Sequence, residues 1–519
     1  MSTPPTPILL TTLNATYQHC AFGLRYLYAN LGELQSQARI VEFTLNQKPR
    51  DIVESLLAYE PQIVGIGVYI WNTSAVQEVV SLLKKVAPEV CVVLGGPEVS
   101  YETESQPLYS LADYIVQGEG EFIFRDFCME RLSGKSSPPD VKTLKGSLPD
   151  VKAVQLPYAY YTDEDLKNRI LYVEASRGCP YKCEFCLSSL DTSVRNFPLP
   201  EFLAEMDRLI QRGARQFKFV DRTFNLSPTL STQILDFFLA RVDQGLFLHF
   251  EMVPDRLPDI LKERIKQFPA GSLQFEIGIQ TWSPKVAALV SRRQDYAKVM
   301  ENFQFLTEHT KVHIHADLIV GLPGETLDSF AEGFDKLARL NPDEIQVGIL
   351  KRLKGTPILR HDAKWQMAYQ DSPPFTVLKT STMDFKTIGA LDRFAKFWDL
   401  YVNSGNFTAT MGHLKAQSEA HSWFWQFWEF SAYLNARHPQ RYAIALVNLV
   451  ESAWCYLTTE LQQSPAVIRE LLIKDYTGVV KRDVPAFLRD DSAPDNREKL
   501  RRLWRHEKHG AQGKGTFGN

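Results

Sequence analysis

The sequence of 519 residues has few cysteines, little net charge and no long apolar run. Seven cysteines, four of them isolated, do not have the dense spacing of a disulfide framework. No apolar run approaches the length that spans a bilayer, and the N-terminus lacks the features of a secretory signal. A net charge of −3 argues against a broad basic face for nucleic acid. We therefore expect a cytoplasmic protein that binds neither membrane nor nucleic acid.

Short apolar runs alternate with helical patterns through the first third of the chain. The runs at 8–13, 39–43, 63–68 and 90–94 predict strands, and this alternation predicts a doubly wound parallel sheet. No G-x-G-x-x-G precedes a helix, so a nicotinamide dinucleotide is disfavoured. Ligands of such sheets bind at the carboxyl ends of the strands. The loops expected there contain Tyr69, Trp71, Asn72, Thr73, Ser74, Gly95, Gly96, Pro97, Glu98, Gly118 and Glu119.

Three clustered cysteines, Cys179, Cys183 and Cys186, form a C-x3-C-x2-C motif directly after a predicted strand. Thiolates this close together suit an iron–sulfur or zinc centre, because soft sulfur ligands select these metals. A structural zinc or a fully ligated cubane takes four protein ligands, whereas three leave one metal position open. A zinc knuckle and a redox-active C-x2-C pair are the alternatives.

Six strand–helix units follow one another between residues 166 and 360. The predicted strands are 170–173, 217–220, 246–252, 273–279, 312–319 and 344–350. Six units are too few for a closed eight-stranded barrel, so we expect a partial (β/α)6 barrel whose polar strand ends share one mouth. The polar candidates at that mouth are Asp221, Glu251, Glu276, Gln280, Arg292 and Arg293. For Asp221 and Glu251, a solvated rim or a salt bridge is an equal alternative.

The remaining segments complete a three-domain prediction. Residues 1–132 form the sheet domain, and 133–165 lack periodic apolar residues and are interpreted as a linker. Residues 361–510 predict an all-α domain, with helices at 382–400, 421–436, 440–462 and 465–476. Its dense aromatic stripe is interpreted as helix core. The basic stretch 497–510 predicts a solvated helix, with contact to an anionic partner as the alternative, and 511–519 a disordered tail.

The cysteine motif, with Phe185 before its last cysteine, resembles that of the radical S-adenosylmethionine (SAM) superfamily. Residues 276–280 (E-I-G-I-Q) and 315–326 (H-A-D-L-I-V-G-L-P-G-E-T) are similar to its fourth- and fifth-strand motifs. The resemblance implies a [4Fe-4S] cluster on the three cysteines, with SAM on the open iron. It also implies a set of SAM contacts, namely Phe185, Asp221, Glu251, Glu276, Gln280, Arg292 and Leu322.

The N-terminal third is similar to the cobalamin-binding domain that precedes the radical SAM core in one subclass. The similarity includes L-G-G-P-E (94–98) and A-D-Y-I-V-Q-G-E-G-E (112–121). The resemblance implies that the loop residues named above bind cobalamin, with Tyr69, Trp71 or Asn72 at its lower face. The D-x-H-x-x-G motif of other cobalamin proteins is missing, and His19 is interpreted as a satisfied polar histidine rather than a cobalt ligand.

The C-terminal segment resembles an uncharacterised helical domain of cobalamin-dependent radical SAM enzymes, and we expect it to roof the barrel mouth. The resemblance implies methylation of an unactivated carbon through a 5′-deoxyadenosyl radical and methylcobalamin, with electrons from a flavodoxin or ferredoxin. Radical cyclisation or rearrangement is one alternative. A methylthiotransferase is another, and it would need a second cluster on Cys20, Cys91 and Cys128. An electron-transfer or cofactor-sensing protein is the non-enzymatic alternative. Nothing in the sequence identifies the substrate.

Overall fold

The computed structural model describes residues 5–134, 141–417, 422–440, 443–478 and 482–489. The chain divides into two compact units, Met1–Gly389 and Ala390–Asn519. The predicted basic helix at 497–510 and the predicted tail at 511–519 lie outside the described residues. No helix within the described ranges is long and apolar enough to cross a membrane.

Six parallel strands form the first sheet, in the order β2-β1-β3-β4-β5-β6. The strands are β1 (Ile8–Asn14), β2 (Ala38–Thr44), β3 (Ile63–Gly67), β4 (Cys91–Gly95), β5 (Tyr114–Gln117) and β6 (Thr143–Lys145). The helices are α1 (Phe22–Ala29), α2 (Pro49–Leu57), α3 (Thr73–Val86), α4 (Pro107–Leu111) and α5 (Glu121–Leu132). Val92 packs in a core with residues of α2, α3 and α4, and Val93 in a second core with α1 and α5. Burial of both faces explains the continuous apolar strands and confirms the doubly wound sheet.

Strand β6 lies in the segment that was interpreted as a linker. It pairs in parallel with β5 and forms an edge of the sheet. A 3-10 turn (Tyr158–Tyr160) and helix α6 (Asp163–Asn168) follow it. Three residues are too few for apolar periodicity to indicate a strand, so the sequence pattern did not predict β6.

A buried ion network connects α6 to the first sheet. Asp165 binds Arg25 at 2.8 Å and Arg169 at 2.9 Å, and Glu42 binds the same two arginines at 2.8 Å each. All four side chains are at most 10% exposed. Because a buried charge that loses its partner is costly, this network holds α6 in place.

The second sheet is also parallel, in the order β14-β13-β12-β11-β10-β7. Its strands are β7 (Leu171–Val173), β10 (Gln216–Phe219), β11 (Phe247–Met252), β12 (Leu273–Gln280), β13 (His313–Val320) and β14 (Glu344–Ile349). Between β7 and β10, the strands β8 (Ser176–Arg177) and β9 (Arg195–Asn196) form a separate antiparallel pair. The helices are α7 (Leu199–Gln211), α8 (Pro228–Leu239), α9 (Asp259–Ile265), α10 (Pro284–Leu289), α11 (Tyr296–His309) and α12 (Leu327–Arg339). Six parallel strands with β7 and β14 as edges confirm the predicted partial barrel.

Alternation along the central barrel strands separates an apolar from a polar face. In β12, Phe275 and Ile277 are almost completely buried, whereas Glu276 is only partly buried. In β13, the partly buried His315 and Asp317 alternate with buried apolar residues in the same way. Successive side chains of a strand point to opposite faces, so the polar groups of neighbouring strands lie together on one side of the sheet.

Helices dominate the chain after the barrel. The elements are α13 (Asp362–Trp365), β15 (Ala368–Tyr369), β16 (Val377–Lys379), α14 (Phe385–Trp398), α15 (Thr408–Ala416), α16 (Trp423–Arg437), α17 (Leu446–Cys455), α18 (Pro465–Gly478) and α19 (Ala486–Arg489). In the second unit, Phe394 lies 4.8 Å from Phe424 and 5.2 Å from Phe427 between ring centroids. These rings form helix core, as predicted for the aromatic stripe. The expected roof over the barrel mouth stays a prediction.

Candidate cofactor sites

The three clustered cysteines meet in one cavity of about 260 Å³, called the cluster cavity below. Cys179, Cys183 and Cys186 all line it. Burial raises the pKa of the Cys179 and Cys183 thiols. Within the described ranges, no three His, Cys, Asp or Glu side chains surround a single metal-ion position. An iron–sulfur cluster needs no such convergence because each thiolate binds a different iron, so three thiols spaced around one cavity fit this group.

The loop that contains these cysteines is closed at its base by the β8–β9 pair. Gly178 has a φ of +89°, and a Cβ there would lie 1.9 Å from the carbonyl oxygen of Ser193. Glycine is therefore required directly before Cys179. The Cys179 amide also donates to the Asp191 carbonyl at 3.0 Å, which orients the first ligand.

Glu184, between the second and third cysteines, anchors the other side of the loop. Its carboxylate contacts Arg360, Ser291 and His361, the last at 2.9 Å, and it is only 3% exposed. The spacing of the cysteines does not indicate this anchor, because its partners lie more than 100 residues away. The loop therefore depends on tertiary contacts for its conformation.

Most residues implied for SAM lie at the same cavity. The predicted residues that line it are Phe185, Glu251, Glu276, Gln280, Arg292 and Arg293. Asp221 and Leu322 are buried and are not among the lining residues. Asp221 instead accepts hydrogen bonds from the Ala175 amide at 3.0 Å and the Ser176 hydroxyl at 2.6 Å, and burial raises its pKa to about 7. Its position indicates support of the strand that leads into the cysteine loop.

A backbone irregularity turns Gln280 into the cavity. The pairing of β12 with β13 shifts register between Gly278 and Gln280, and Gln280 has a φ of +70°. A Cβ on Gly278 would lie 2.2 Å from Nε2 of Gln280. Arg292 donates to the Gly278 carbonyl and also lies 3.6 Å from the Cys183 sulfur. Left-handed backbone at a non-glycine residue costs energy and is typical of functional sites. The bulged backbone conformation therefore explains why the E-I-G-I-Q motif has glycine two residues before its glutamine.

The pKa values of two acids that line the cluster cavity are shifted in opposite directions. A hydrogen bond with His249 at 3.0 Å, with Lys218 nearby, lowers the pKa of Glu276 to about 2. Burial, together with the charges of Glu276 and Glu251, raises the pKa of Asp317 to about 8. The sequence prediction missed Asp317 and Arg222, which pairs with Glu251 at 2.8 Å. Asp317 could have been found from the sequence, because it follows His315 by two residues and therefore lies on the same polar face of β13.

A second cavity of about 280 Å³ lies at the carboxyl ends of the first sheet and is called the glycine cavity below. The predicted residues that line it are Tyr69, Gly95, Gly96, Gly118 and Glu119. Gly120 and Glu121, the other two residues of the predicted 118–121 loop, also line it. Further lining residues, which the prediction missed, include Tyr26, Gly65, Gly67, Glu174 and Arg177. Gly96 has a φ of +112°, and a Cβ there would lie 2.5 Å from the Val68 carbonyl oxygen. Glycines at the carboxyl ends of β3 and β4 and in the loops after β4 and β5 leave space for a broad, flat ligand.

The other predicted cobalamin residues do not line this cavity. Trp71 stacks on Tyr69 with ring centroids 4.5 Å apart and is itself 49% exposed. Asn72 is fully buried and hydrogen-bonds the backbone of its own loop, which it holds in shape. Glu98 pairs with Lys354 at 2.5 Å. Thr73 and Ser74 begin helix α3 and Pro97 follows β4, and none of the three is a lining residue.

A buried polar atom in the wall of the glycine cavity lacks a partner. Oε2 of Glu121 has no hydrogen-bond partner among the described residues. A corrin ring carries amides around its edge that can satisfy this atom, so the cavity wall fits cobalamin. His19 hydrogen-bonds the Tyr172 hydroxyl at 2.6 Å and is not a lining residue. This agrees with its interpretation as a satisfied histidine.

Three family models match successive parts of the chain. The B12 binding domain matches residues 8–127, the Radical SAM superfamily residues 173–337, and a protein of unknown function, DUF4080, residues 363–513. The first two matches confirm the resemblance stated from the sequence and the cofactor classes that it implied.

Curated relatives match only part of this chain. The cobalamin-dependent radical SAM methyltransferase TokK of Streptomyces tokunonensis is 25% identical over 58% of this chain and 48% of its own length. The ribosomal protein uS12 methylthiotransferase RimO of Geobacter sulfurreducens is 28% identical over 36% of this chain and 43% of its own. The chain thus spans about half the length of the relatives it matches.

A solved structure extends the similarity in fold to the whole chain. The cobalamin-dependent S-adenosylmethionine radical enzyme OxsB, with aqua-cobalamin and S-adenosylmethionine bound, superposes with a TM-score of 0.62. The superposition covers 99% of this chain and 85% of OxsB, at 14% sequence identity. At this identity the likeness is one of fold.

Proposed function

We propose that this chain, which matches the models of the Radical SAM superfamily and of the B12 binding domain, methylates an unactivated carbon of its substrate by cobalamin-dependent radical chemistry. One observation supports this most. Both cavities belong to one compact unit, and Arg177 at the glycine cavity precedes Cys179 at the cluster cavity by two residues. A radical source and a methyl donor must act on the same atom, and proximity of their sites serves that purpose.

The residues of the two cavities have distinct roles in this proposal. When bound, the cluster and SAM supply a radical that removes a substrate hydrogen, and cobalamin supplies the methyl group. Cys179, Cys183 and Cys186 hold the cluster, with electrons from an external flavodoxin or ferredoxin. The polar lining of the cluster cavity orients SAM through Glu251, Gln280, Arg292 and Asp317. Tyr69 and the glycine loops receive the corrin without a histidine ligand.

Anaerobic reconstitution with iron, sulfide and hydroxocobalamin, followed by chemical reduction and addition of SAM, tests the proposal without a known substrate. We expect a bound-corrin absorption spectrum, formation of 5′-deoxyadenosine and about one S-adenosylhomocysteine per corrin. Cys183→Ala should lose the cluster and 5′-deoxyadenosine formation while it keeps the corrin spectrum at saturating hydroxocobalamin. Persistent cleavage of SAM to 5′-deoxyadenosine in that variant would contradict the cluster assignment.

The alternatives give different products in the same experiment. A radical rearrangement enzyme should form 5′-deoxyadenosine without S-adenosylhomocysteine. An electron-transfer or cofactor-sensing protein should cleave no SAM at all.

A methylthiotransferase should bind about eight irons per chain instead of about four. The structure disfavours that second cluster. Cys91 and Cys128 pack in the apolar core of the first sheet, and Cys20 contacts Asp165 at 3.6 Å. Burial raises the pKa of Cys20 to about 12 and of Cys91 to about 11, which suits inert thiols.

A further inference from the structure

A single carboxylate of the glycine cavity holds both ends of the cysteine loop. Arg177 and Arg195 face each other in the β8–β9 pair, which closes the loop that contains the three cysteines. Glu119 binds both guanidinium groups, Arg177 at 2.6 Å and Arg195 through both of its carboxylate oxygens. Glu119 is a lining residue of the glycine cavity and lies 58 residues before Arg177.

Hydrogen bonds continue from Glu119 to the first cluster ligand. Arg195 also binds the Asp191 carboxylate at 2.9 Å, and the Asp191 carbonyl accepts from the Cys179 amide at 3.0 Å. The chain from Glu119 to Cys179 thus needs only Arg195 and Asp191 between them. Each residue in this series is hydrogen-bonded to the next, so a displacement of Glu119 changes the environment of Cys179.

The network around Arg177 is buried and uses the same cavity wall. Arg177 binds Glu174 at 2.9 Å and Glu121 at 2.8 Å besides Glu119, and its guanidinium lies 4.6 Å from the Tyr26 ring centroid. Its side chain is 12% exposed. Three carboxylates around one guanidinium fix its position, because charge-assisted hydrogen bonds to a guanidinium are short and directional. A ligand in the glycine cavity therefore touches residues that determine the base of the cysteine loop.

We propose that Glu119 is a positioning residue that couples occupancy of the glycine cavity to the cluster loop, so that a bound corrin stabilises the cluster and a bound cluster stabilises the corrin. Such coupling is reciprocal by thermodynamic necessity, and allosteric couplings typically change affinity by about 5- to 150-fold. The inference rests on the proposed function, since it takes corrin and cluster as the occupants of the two cavities.

The rate of iron release to a ferrous chelator under anaerobic conditions, with and without saturating hydroxocobalamin, indicates whether bound corrin stabilises the cluster. In the unaltered protein, corrin should slow iron release by about fivefold or more. In Glu119→Gln, which keeps the shape of the side chain and removes its charge, the corrin effect should fall below about twofold. Arg195→Gln breaks the same series of hydrogen bonds at the next residue and should give the same result. It replaces Glu119→Gln if that variant does not fold.

Glu102→Gln is the matched control. Glu102 binds Arg352 at 2.9 Å, an ion pair that also joins the first sheet domain to the barrel segment but does not involve the cysteine loop. This variant should keep the full corrin effect. The proposal is overturned if unaltered protein with both cofactors shows no corrin effect, if Glu119→Gln and Arg195→Gln keep it, or if Glu102→Gln also loses it. Absence of a bound-corrin spectrum or of stoichiometric iron would instead refute the proposed function, and those loadings are measured first.

Discussion

Two adjacent glycines of the glycine cavity should respond differently to the same substitution. Gly96 has a φ of +112°, and its Cβ would lie 2.5 Å from a backbone oxygen of Val68. A left-handed backbone costs a residue with a Cβ about 1–2 kcal/mol, and overpacking against backbone adds about 1–3 kcal/mol. Gly96→Ala should therefore lower the free energy of unfolding by about 2–5 kcal/mol. For Gly95, the nearest atoms are 3.9 Å from the added Cβ, and its φ is ordinary.

Gly95→Ala should therefore fold with nearly unaltered stability, yet its added methyl lies at the wall of the cavity and competes with the ligand. We expect about tenfold weaker corrin binding, equal to about 1.4 kcal/mol. Pulse proteolysis in urea measures the stability of each cofactor-free variant, and absorbance titration with hydroxocobalamin measures affinity. Unchanged corrin affinity in Gly95→Ala would refute the assignment of this cavity to corrin. Unchanged stability in Gly96→Ala would refute the strain argument.

Three further substitutions test the cluster cavity and the ion network. Arg292→Lys removes the forked contact with the Cys183 sulfur and the Gly278 carbonyl, so the reduction potential of the cluster should become more negative in an EPR-monitored redox titration. Because burial raises the pKa of Asp317 to about 8, the cofactor-free protein should lose stability as pH rises from about 4 to 8. Asp317→Asn should remove that slope in urea midpoints measured across this range. Although burial opposes ionisation, Arg25 lowers the pKa of Asp165 to about 2, so its contribution to stability is present above about pH 4 and is lost as pH falls through 2. Asp165→Asn should cost about 3–5 kcal/mol at pH 7 and should not show that acid-dependent loss.

Local spacing predicted much of the fold and of the cluster cavity. The central strands β12 and β13 of the second sheet are eight residues long and apolar on one face, so their positions could be found from alternation alone. The three cysteines lie within eight residues of one another, and loop closure over so short a distance brings them to one cavity. Gln280 is similar, because the glycine two residues before it allows the bulge that turns it inward.

Residues whose role depends on distant partners were harder to predict. The resemblance implies cofactor contacts for Asp221 and Glu98, with a solvated rim or a salt bridge as an equal alternative for Asp221. The structure pairs Asp221 with Ser176 and Glu98 with Lys354. A carboxylate at a strand end has the same local sequence pattern whether it faces a cavity or a neighbouring segment. Asp317 shows the reverse case, since its place at the cavity depends on the parallel register of β13 with β12.

By itself, the sequence determined that the chain has a three-cysteine motif, which leaves one metal position open, in a strand-and-helix barrel. It also determined that a doubly wound sheet with glycine-rich loops precedes this barrel. These properties follow from periodicity and short-range spacing, which folding does not change. Only the tertiary structure decided that Glu119 lies between Arg177 and Arg195, at the base of the cysteine loop. That contact joins segments 58 and 76 residues apart, and their distance in space is set by the packing of two sheets.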